Sequence, residues 1–572
     1  MAQLMGWSHD RLCTYFQAAL NLMPLSPSIS DQKPIPFYDA VVKTLTNTIS
    51  STRDSHTHVR HVDGHVDVIH PGLHALPDNE HQAKVTVNTI ARSSLAMYED
   101  VNNEDDVRWT AAYLMQDPFK PKSLKIITNA TVDSIVFNGS SSGEEQEGKE
   151  LLATGVKIVV GDETYIASID QSIEGNNSSS SITSTNNTNR VGEIAITSGA
   201  INSSAVLQRS GVGPKALLDS FNIPSVVNNP YVGHGIDHEE IAILYEWLDK
   251  WSCDDGSLPK GGAMGWPIVL FASFLNKDKD KDRSTDGGSD MKKHKEKHEE
   301  LLSDFFEAHF GAGYAEPYTS FPSVVVTPSC IRPDHSSLDT GFQVKIKSRD
   351  PTSSCLLIQG NHAKDLETMA LGMLSVSHLF QPLIDHGVIG KQLEPPFEIC
   401  EDNKDRLIEW IKSNHYTVFH WSCTCQAGLK GRVCDEKFRV RRNYKTTIDE
   451  GSNNNDNDTA PSSIISNLRV GSAASLPELS EANPHLTITA FAIALAEELA
   501  RSLAVKHNVS YHPPIEISRA YDDIHAVNDI SNDAAVPITT TIRRQNEEVP
   551  ALGNFAREYS HQWDVEHSKA EP

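Results

Sequence analysis

Apolar and polar positions alternate with a period of two over residues 124–127 and 132–137, which predicts a pair of short strands; residues 153–160 followed by 164–166 predict a second hairpin. Residues 193–197 form a short strand-like run that stops at Ser198-Gly199-Ala200. Ala205, Val206, Leu207, Leu217 and Leu218 then recur at helical spacing around the break Ser210-Gly211-Val212-Gly213-Pro214. From 486 to 503 an Ala/Leu/Ile/Glu pattern predicts an amphipathic helix, and Asn483-Pro484 supplies a side-chain oxygen and a first-turn proline at its start. Strand, glycine turn and helix in that order predict an α/β architecture.

Between these patterned segments lie stretches too polar to bury. Residues 138–150 are rich in Gly, Ser and Glu; 174–190 are almost all Asn, Ser and Thr; 276–300 are a charge run; 452–458 are an Asn/Asp tract. None can bury enough apolar surface to offset its ordering entropy, so each is expected to be a surface insertion. From about residue 507 the chain has scattered prolines and no sustained period, and a loosely attached tail is expected.

Composition narrows the function. The chain has 572 residues, long enough for two to four domains, and only 38% of them are hydrophobic. Its 50 basic and 76 acidic side chains give a net charge of −26, which repels phosphodiester backbones and anionic lipids, so nucleic acid is not an expected partner. Eight cysteines are too sparse for a disulfide framework, and neither a leader pattern nor a membrane span is evident. A soluble protein of a reducing, intracellular compartment is expected.

Five motifs occur in one order. Ser198-Gly199-Ala200-Ile201-Asn202-Ser203-Ser204 leads into Leu207-Gln208-Arg209-Ser210-Gly211-Val212-Gly213; Asn229-Pro230-Tyr231-Val232-Gly233 runs on to Asp237-His238; Ser348, Asp350 and Pro351 close a strand-like stretch. Phe419-His420-Trp421-Ser422-Cys423-Thr424-Cys425 and Asn483-Pro484-His485-Leu486-Thr487 follow. Upstream stand Gly6-Trp7-Ser8, Leu12 and Tyr15-Phe16, then Gly64-His65-Val66-Asp67 and Arg108-Trp109. Together they resemble the glucose–methanol–choline (GMC) oxidoreductases, FAD-dependent alcohol oxidases and dehydrogenases, over roughly residues 6–505; within the family the closest look is to short-chain alcohol oxidases.

The resemblance implies an α/β fold: a partial FAD-binding Rossmann-like domain with a second substrate domain built on an antiparallel sheet. It places an FAD-binding region at 1–240 with insertions at 138–150 and 174–190, a substrate segment at 241–334 with a charged linker at 276–300, a C-terminal region at 335–505 with an insertion at 441–463, and a tail at 506–572. By family position His420 takes the hydroxyl proton of a small alcohol while hydride passes to flavin, and Asn483 holds the substrate oxygen; O₂ or another acceptor reoxidises the flavin. Val132, Gly199, Ala200, Ser472 and His485 fall at cofactor-binding positions, and no metal is implied.

The same reading finds departures from the family. The strand–GxGxxG–helix that cradles the FAD pyrophosphate, and the glycine-rich first signature, have no counterpart, so weak FAD binding and poor solubility are expected of this chain. Ser472 stands for the family's Asp, and Cys423 for a glycine expected beside the substrate. Two other readings stay open: a non-catalytic or truncated homologue, and a structural zinc held by His420, Cys423, Cys425 and Cys434.

Overall fold

The computed structural model describes residues 1–23, 25–26, 36–51, 60–61, 89–92, 95–98, 107–108, 110–115, 123–138, 150–169, 192–252, 268–273, 305–314, 322–396, 404–442, 464–480 and 483–507. The polar insertions at 174–190, 276–300 and 452–458, the interior of 138–150, the motif at 64–67 and the tail beyond 507 lie outside them.

Ser8 caps helix α1 (His9–Leu22), its side chain accepting the Arg11 N–H at 3.2 Å. Helix α2 (Pro36–Ser51) follows. Strand β1 (Thr131–Phe137) buries Asp133, Ile135 and Phe137 on one face, as its alternation predicts. Its partner is β2 (Ala153–Val160), which in turn pairs antiparallel with β3 (Glu163–Ser168) through the turn at Gly161. Residues 124–127 are not a strand: Ile126 and Ile127 are 50% and 69% exposed, and a period-two pattern with no face to bury gains nothing from pairing. The short strand β4 (Ile194–Ile196) turns at Gly199 into α3 (Gly199–Arg209). Helix α3 ends at a tight loop where Gly211 has φ 82, and a Cβ there would stand 2.3 Å from the Pro224 carbonyl, so only glycine fits.

A large sheet comes next. Strands β5 (Glu239–Glu240), β6 (Ile243–Glu246), β7 (Ile268–Ser273), β8 (Phe305–Tyr314) and β9 (Pro322–Cys330) pair antiparallel, in the order β7-β8-β9 with β5 and β6 both on the far edge of β9. A separate hairpin, β10 (Phe342–Ile346) with β11 (Cys355–Gln359), packs on α3. Buried Gln208 ties the two: its side chain donates to the Val344 carbonyl at 2.8 Å and accepts the Ile346 N–H at 3.0 Å. Helices α4 (Ala363–Asp385) and α5 (Lys404–Asn414) join α2 over the large sheet. Between them Phe37, Tyr38, Tyr245, Phe310 and Phe380 form an aromatic core, with Tyr245 stacked on Phe380 at 5.5 Å. After α5, β12 (Tyr416–Thr417) adds to the free side of β5, Glu239 facing Thr417.

The chain closes on a second core. Strands β13 (Arg439–Arg441) and β14 (Ile464–Val470) pair antiparallel, and β14 runs parallel to β4 with Leu468 opposite Ile194. Glu193, just before β4, is locked by Arg469 at 3.2 Å and Lys506 at 2.7 Å. Helix α6 (His485–His507) covers this sheet together with α1. Arg11 bonds Glu498 at 2.8 Å, Tyr15 donates to Glu497, and Trp7 packs on Phe491. The first bond of α6 runs from the Ile488 N–H to the Pro484 carbonyl at 2.8 Å, so Pro484, one residue later than the sequence suggests, holds the capping position. Among the described residues no helix is long and apolar enough to cross a membrane, and all six cysteines are unpaired.

Candidate active site

The pairing of β5 with β12 decides which side chains meet. It sets Asp237 and His238, which enter β5, against residues 418–420, which leave β12, and the Val418 N–H bonds the His238 carbonyl at 3.2 Å. The Asp237 carboxyl accepts the His420 backbone N–H at 2.9 Å on Oδ1 and the Thr417 hydroxyl on Oδ2. Thr417 Oγ1 in turn accepts the Phe419 N–H at 2.9 Å, which helps hold Phe419 at φ 62. Burial pushes the Asp237 carboxyl up to about 8, against the opposing pull of these hydrogen bonds, with Glu239 adding to the rise. The His420 ring meets His238, Nδ1 to Nδ1 at 3.0 Å.

Three turns close around this segment. The Cys423 and Cys425 N–H groups bond the carbonyls of Ala473 and Ala474 at 2.9 and 2.7 Å, and Thr424 donates to the Ala200 carbonyl. The Ser203 and Ser472 hydroxyls lie 3.3 Å apart. Gly199, Ala200, Ser472 and the His420 loop are therefore one assembly. At Gly199 φ is 76, and a Cβ built there meets no atom within 4 Å, so the backbone after β4 is open at that point.

Ser472 caps its own 3₁₀ turn, its hydroxyl accepting the Ala474 N–H at 3.2 Å. The Val132 carbonyl accepts from Arg209 at 3.4 Å, at the opposite end of α3 from Gly199. Asn483 and His485 are exposed at the start of α6. Cys423, expected beside the substrate, lines a cavity of about 10 Å³ with Tyr231, His234, His335 and Arg432, room for roughly one water. His234 is driven down to about 4 by burial and stays neutral, its Nε2 at 2.8 Å from the Thr340 carbonyl.

Sequence reasoning did not single out Asp237 and His238 as site residues, although the dipeptide belongs to a quoted motif. Nor did it find Glu239, whose buried carboxylate stands between His362 (3.3 Å) and His415 (3.1 Å). Among the described residues no group of three or more His, Cys, Asp or Glu could hold a metal ion, which leaves the zinc reading without a site.

Comparison with known proteins follows from this geometry. No family model matches the chain. Oxygen-dependent choline dehydrogenase of Pseudomonas putida KT2440 is 26% identical over 350 residues, 57% of this chain and 52% of that protein. The Burkholderia mallei ATCC 23344 protein of the same name is 26% identical over 428 residues, 71% and 60%. Formate oxidase from Aspergillus oryzae RIB40, in which FAD is modified, superposes with a TM-score of 0.54 at 15% identity over 85% of this chain and 73% of that one. Pyridoxine 4-oxidase from Mesorbium loti superposes with a TM-score of 0.52 at 15% identity, over 86% and 72%. The chain spans about half the length of the first of the curated relatives it matches. The chain shares its fold with formate oxidase and pyridoxine 4-oxidase. The curated relatives extend the resemblance to the glucose–methanol–choline oxidoreductase family.

A flavin placed here would meet open backbone at Gly199, with Ala200, whose carbonyl accepts from Thr424, and the Ser472 turn in the same assembly. The described residues hold no glycine-rich strand–turn–helix for the pyrophosphate.

Proposed function

We propose that this chain carries the substrate side and part of the cofactor side of an FAD-dependent oxidoreductase acting on the CH–OH group of a small alcohol. The observation that carries the reading is the clamp on His420: its backbone held by Asp237, its ring by His238, in one assembly with Gly199 and Ser472. Bound FAD would supply the hydride acceptor, with O₂ or another oxidant beyond it. Gly199, Ala200 and Ser472 would hold its flavin, and Val132 and His485 are the further family positions. His420 would take the substrate hydroxyl proton, and Asn483 would hydrogen-bond the substrate oxygen. A net charge of −26 favours a cationic alcohol, and choline, named for the relatives, is the first to try.

A second reading, a homologue that does not turn over, draws on two observations: the Ser472 hydroxyl serves its own turn, and Asn483 is exposed. One experiment separates them. The chain is titrated with FAD, followed by flavin fluorescence, then mixed without oxygen with choline, benzyl alcohol and short primary alcohols. Bleaching of the flavin with formation of the matching aldehyde supports the enzyme; saturable FAD binding with no bleaching by any of them supports the second reading.

A further inference from the structure

Just beyond the β5–β12 pairing the two facing stretches of chain differ in length. Glu239 faces Thr417, and Ile236 faces Ser422 in an antiparallel bridge, so residues 237 and 238 stand opposite four, 418 to 421. The surplus forms a bulge that carries His420, and bulges re-aim side chains beside active sites. Backbone closes it at both ends: the Val418 N–H bonds the His238 carbonyl at 3.2 Å, and Ser422 and Ile236 exchange bonds of 2.9 and 3.0 Å. Inside it, side chains replace the ladder. The Phe419 N–H donates to Thr417 Oγ1 at 2.9 Å, the His420 N–H donates to Asp237 Oδ1 at 2.9 Å, and the His420 carbonyl accepts the Ser422 hydroxyl at 2.8 Å. The first two directions are fixed, because a backbone N–H can only donate.

We propose that Thr417 is a positioning residue of His420, its hydroxyl holding the bulge in the shape that presents the ring. The inference rests on the reading of His420 as the base and adds what aims it. Phe419 sits at φ 62, a region that a ring-bearing residue rarely adopts. It is 71% exposed, its ring edge-to-face against Trp421, so burial does not hold it there. Thr417 does: its hydroxyl accepts the N–H two residues on and closes a turn through the side chain. The same hydroxyl meets Asp237 Oδ2, which joins that turn to the carboxyl gripping the next N–H. The contact needs a single proton between two oxygens and forms with the carboxyl charged or neutral. Two successive amides of the bulge are thus tied to one Thr–Asp pair, itself placed by the facing of Glu239 and Thr417. Without the hydroxyl Phe419 is free to leave the strained region, which turns the peptide plane that follows and with it the His420 side chain.

The test compares the full chain with Thr417→Val, which keeps the branched shape without the hydroxyl, and Thr417→Ser, which keeps the hydroxyl. Amide hydrogen exchange over 416–422, read by mass spectrometry of peptic fragments, should be slower in wild type than in a free peptide, about fivefold or more faster in Val than in wild type, and near wild type in Ser. In FAD-loaded protein at equal FAD content, Val should lower the limiting rate of alcohol-dependent flavin reduction about tenfold or more while the half-saturating alcohol concentration stays the same, and Ser should recover most of that rate. Exchange unmoved by Val, a loss that Ser does not recover, or a loss confined to the half-saturating concentration overturns the proposal. Wild-type amides that exchange at the free-peptide rate overturn it even if the Val variant fails to fold. The expected exchange pattern in a chain that no alcohol reduces would overturn the proposed function and leave the hold of Thr417 on the bulge standing.

Discussion

Cys423 sits at φ 66, the left-handed region that suits glycine, and its side chain is buried in the core. Its own N–H and that of Cys425 are tied to the Ala473 and Ala474 carbonyls, so the backbone cannot relax to a commoner conformation without disturbing these bonds. A non-glycine residue held there costs about 1–2 kcal/mol. Cys423→Ala loses the buried thiol and keeps that strain. Going on from Ala to Gly removes the strain but loses about 0.8 kcal/mol of methyl burial and about 0.5–1 kcal/mol to the freer unfolded chain. The terms nearly cancel, and the two variants should agree within about 0.5 kcal/mol, whereas at an ordinary buried position Gly would fall about 1.5 kcal/mol below Ala. Urea unfolding of both variants, compared by midpoint at unchanged slope, measures the difference. A Gly variant about 1.5 kcal/mol less stable than Ala would refute the argument from strain.

Glu193→Ala should destabilise by about 3 kcal/mol or more, since it leaves Arg469 buried and uncompensated and unties Ser502 and Lys506 of α6 from β4; thermal unfolding reads it. Burial alone would raise the Glu193 carboxyl, but Arg469, Lys506 and Ser502 hold it below its ordinary 4.5, so its contribution is present above that pH and fades as pH falls through the folded value. Asp237 behaves oppositely: raised from 3.8 to about 8, it favours the fold fully below about pH 4 and loses that contribution as pH rises towards 8, with a slope of up to about 1.4 kcal/mol per pH unit. Asp237→Asn keeps an oxygen for the His420 N–H, and unfolding scans from pH 5 to 8 should show a flatter profile than wild type. Gln208→Leu, which leaves the Val344 carbonyl and Ile346 N–H unpaired in the interior, should cost about 1–3 kcal/mol by the same scans.

Local patterns carried far where burial and backbone chemistry agree. The run from Ile194 through Gly199 to Arg209 reads as strand, turn and helix because its apolar spacing changes period at a residue with positive φ. The last helix is legible for the same reason. Residues 124–127 show the limit, since alternation says nothing about whether a sheet face exists to receive it. Helices α2, α4 and α5 passed unnoticed in the sequence, and the aromatic core they share with the large sheet joins positions as distant as Phe37 and Phe380. The site divides in the same way. His420 was visible through its motif, but its contacts with Asp237 and His238 come from a β5–β12 pairing across about 180 residues, which no local period encodes.

The central claim is that His420 takes the proton of an alcohol oxidised at a bound flavin. Stopped-flow reduction of the FAD-loaded chain by its best alcohol, wild type beside His420→Ala at equal FAD content, tests it most directly. The account predicts a fall of about 10²-fold or more in the rate of flavin reduction with FAD binding nearly unchanged. Equal rates in the two proteins would contradict it.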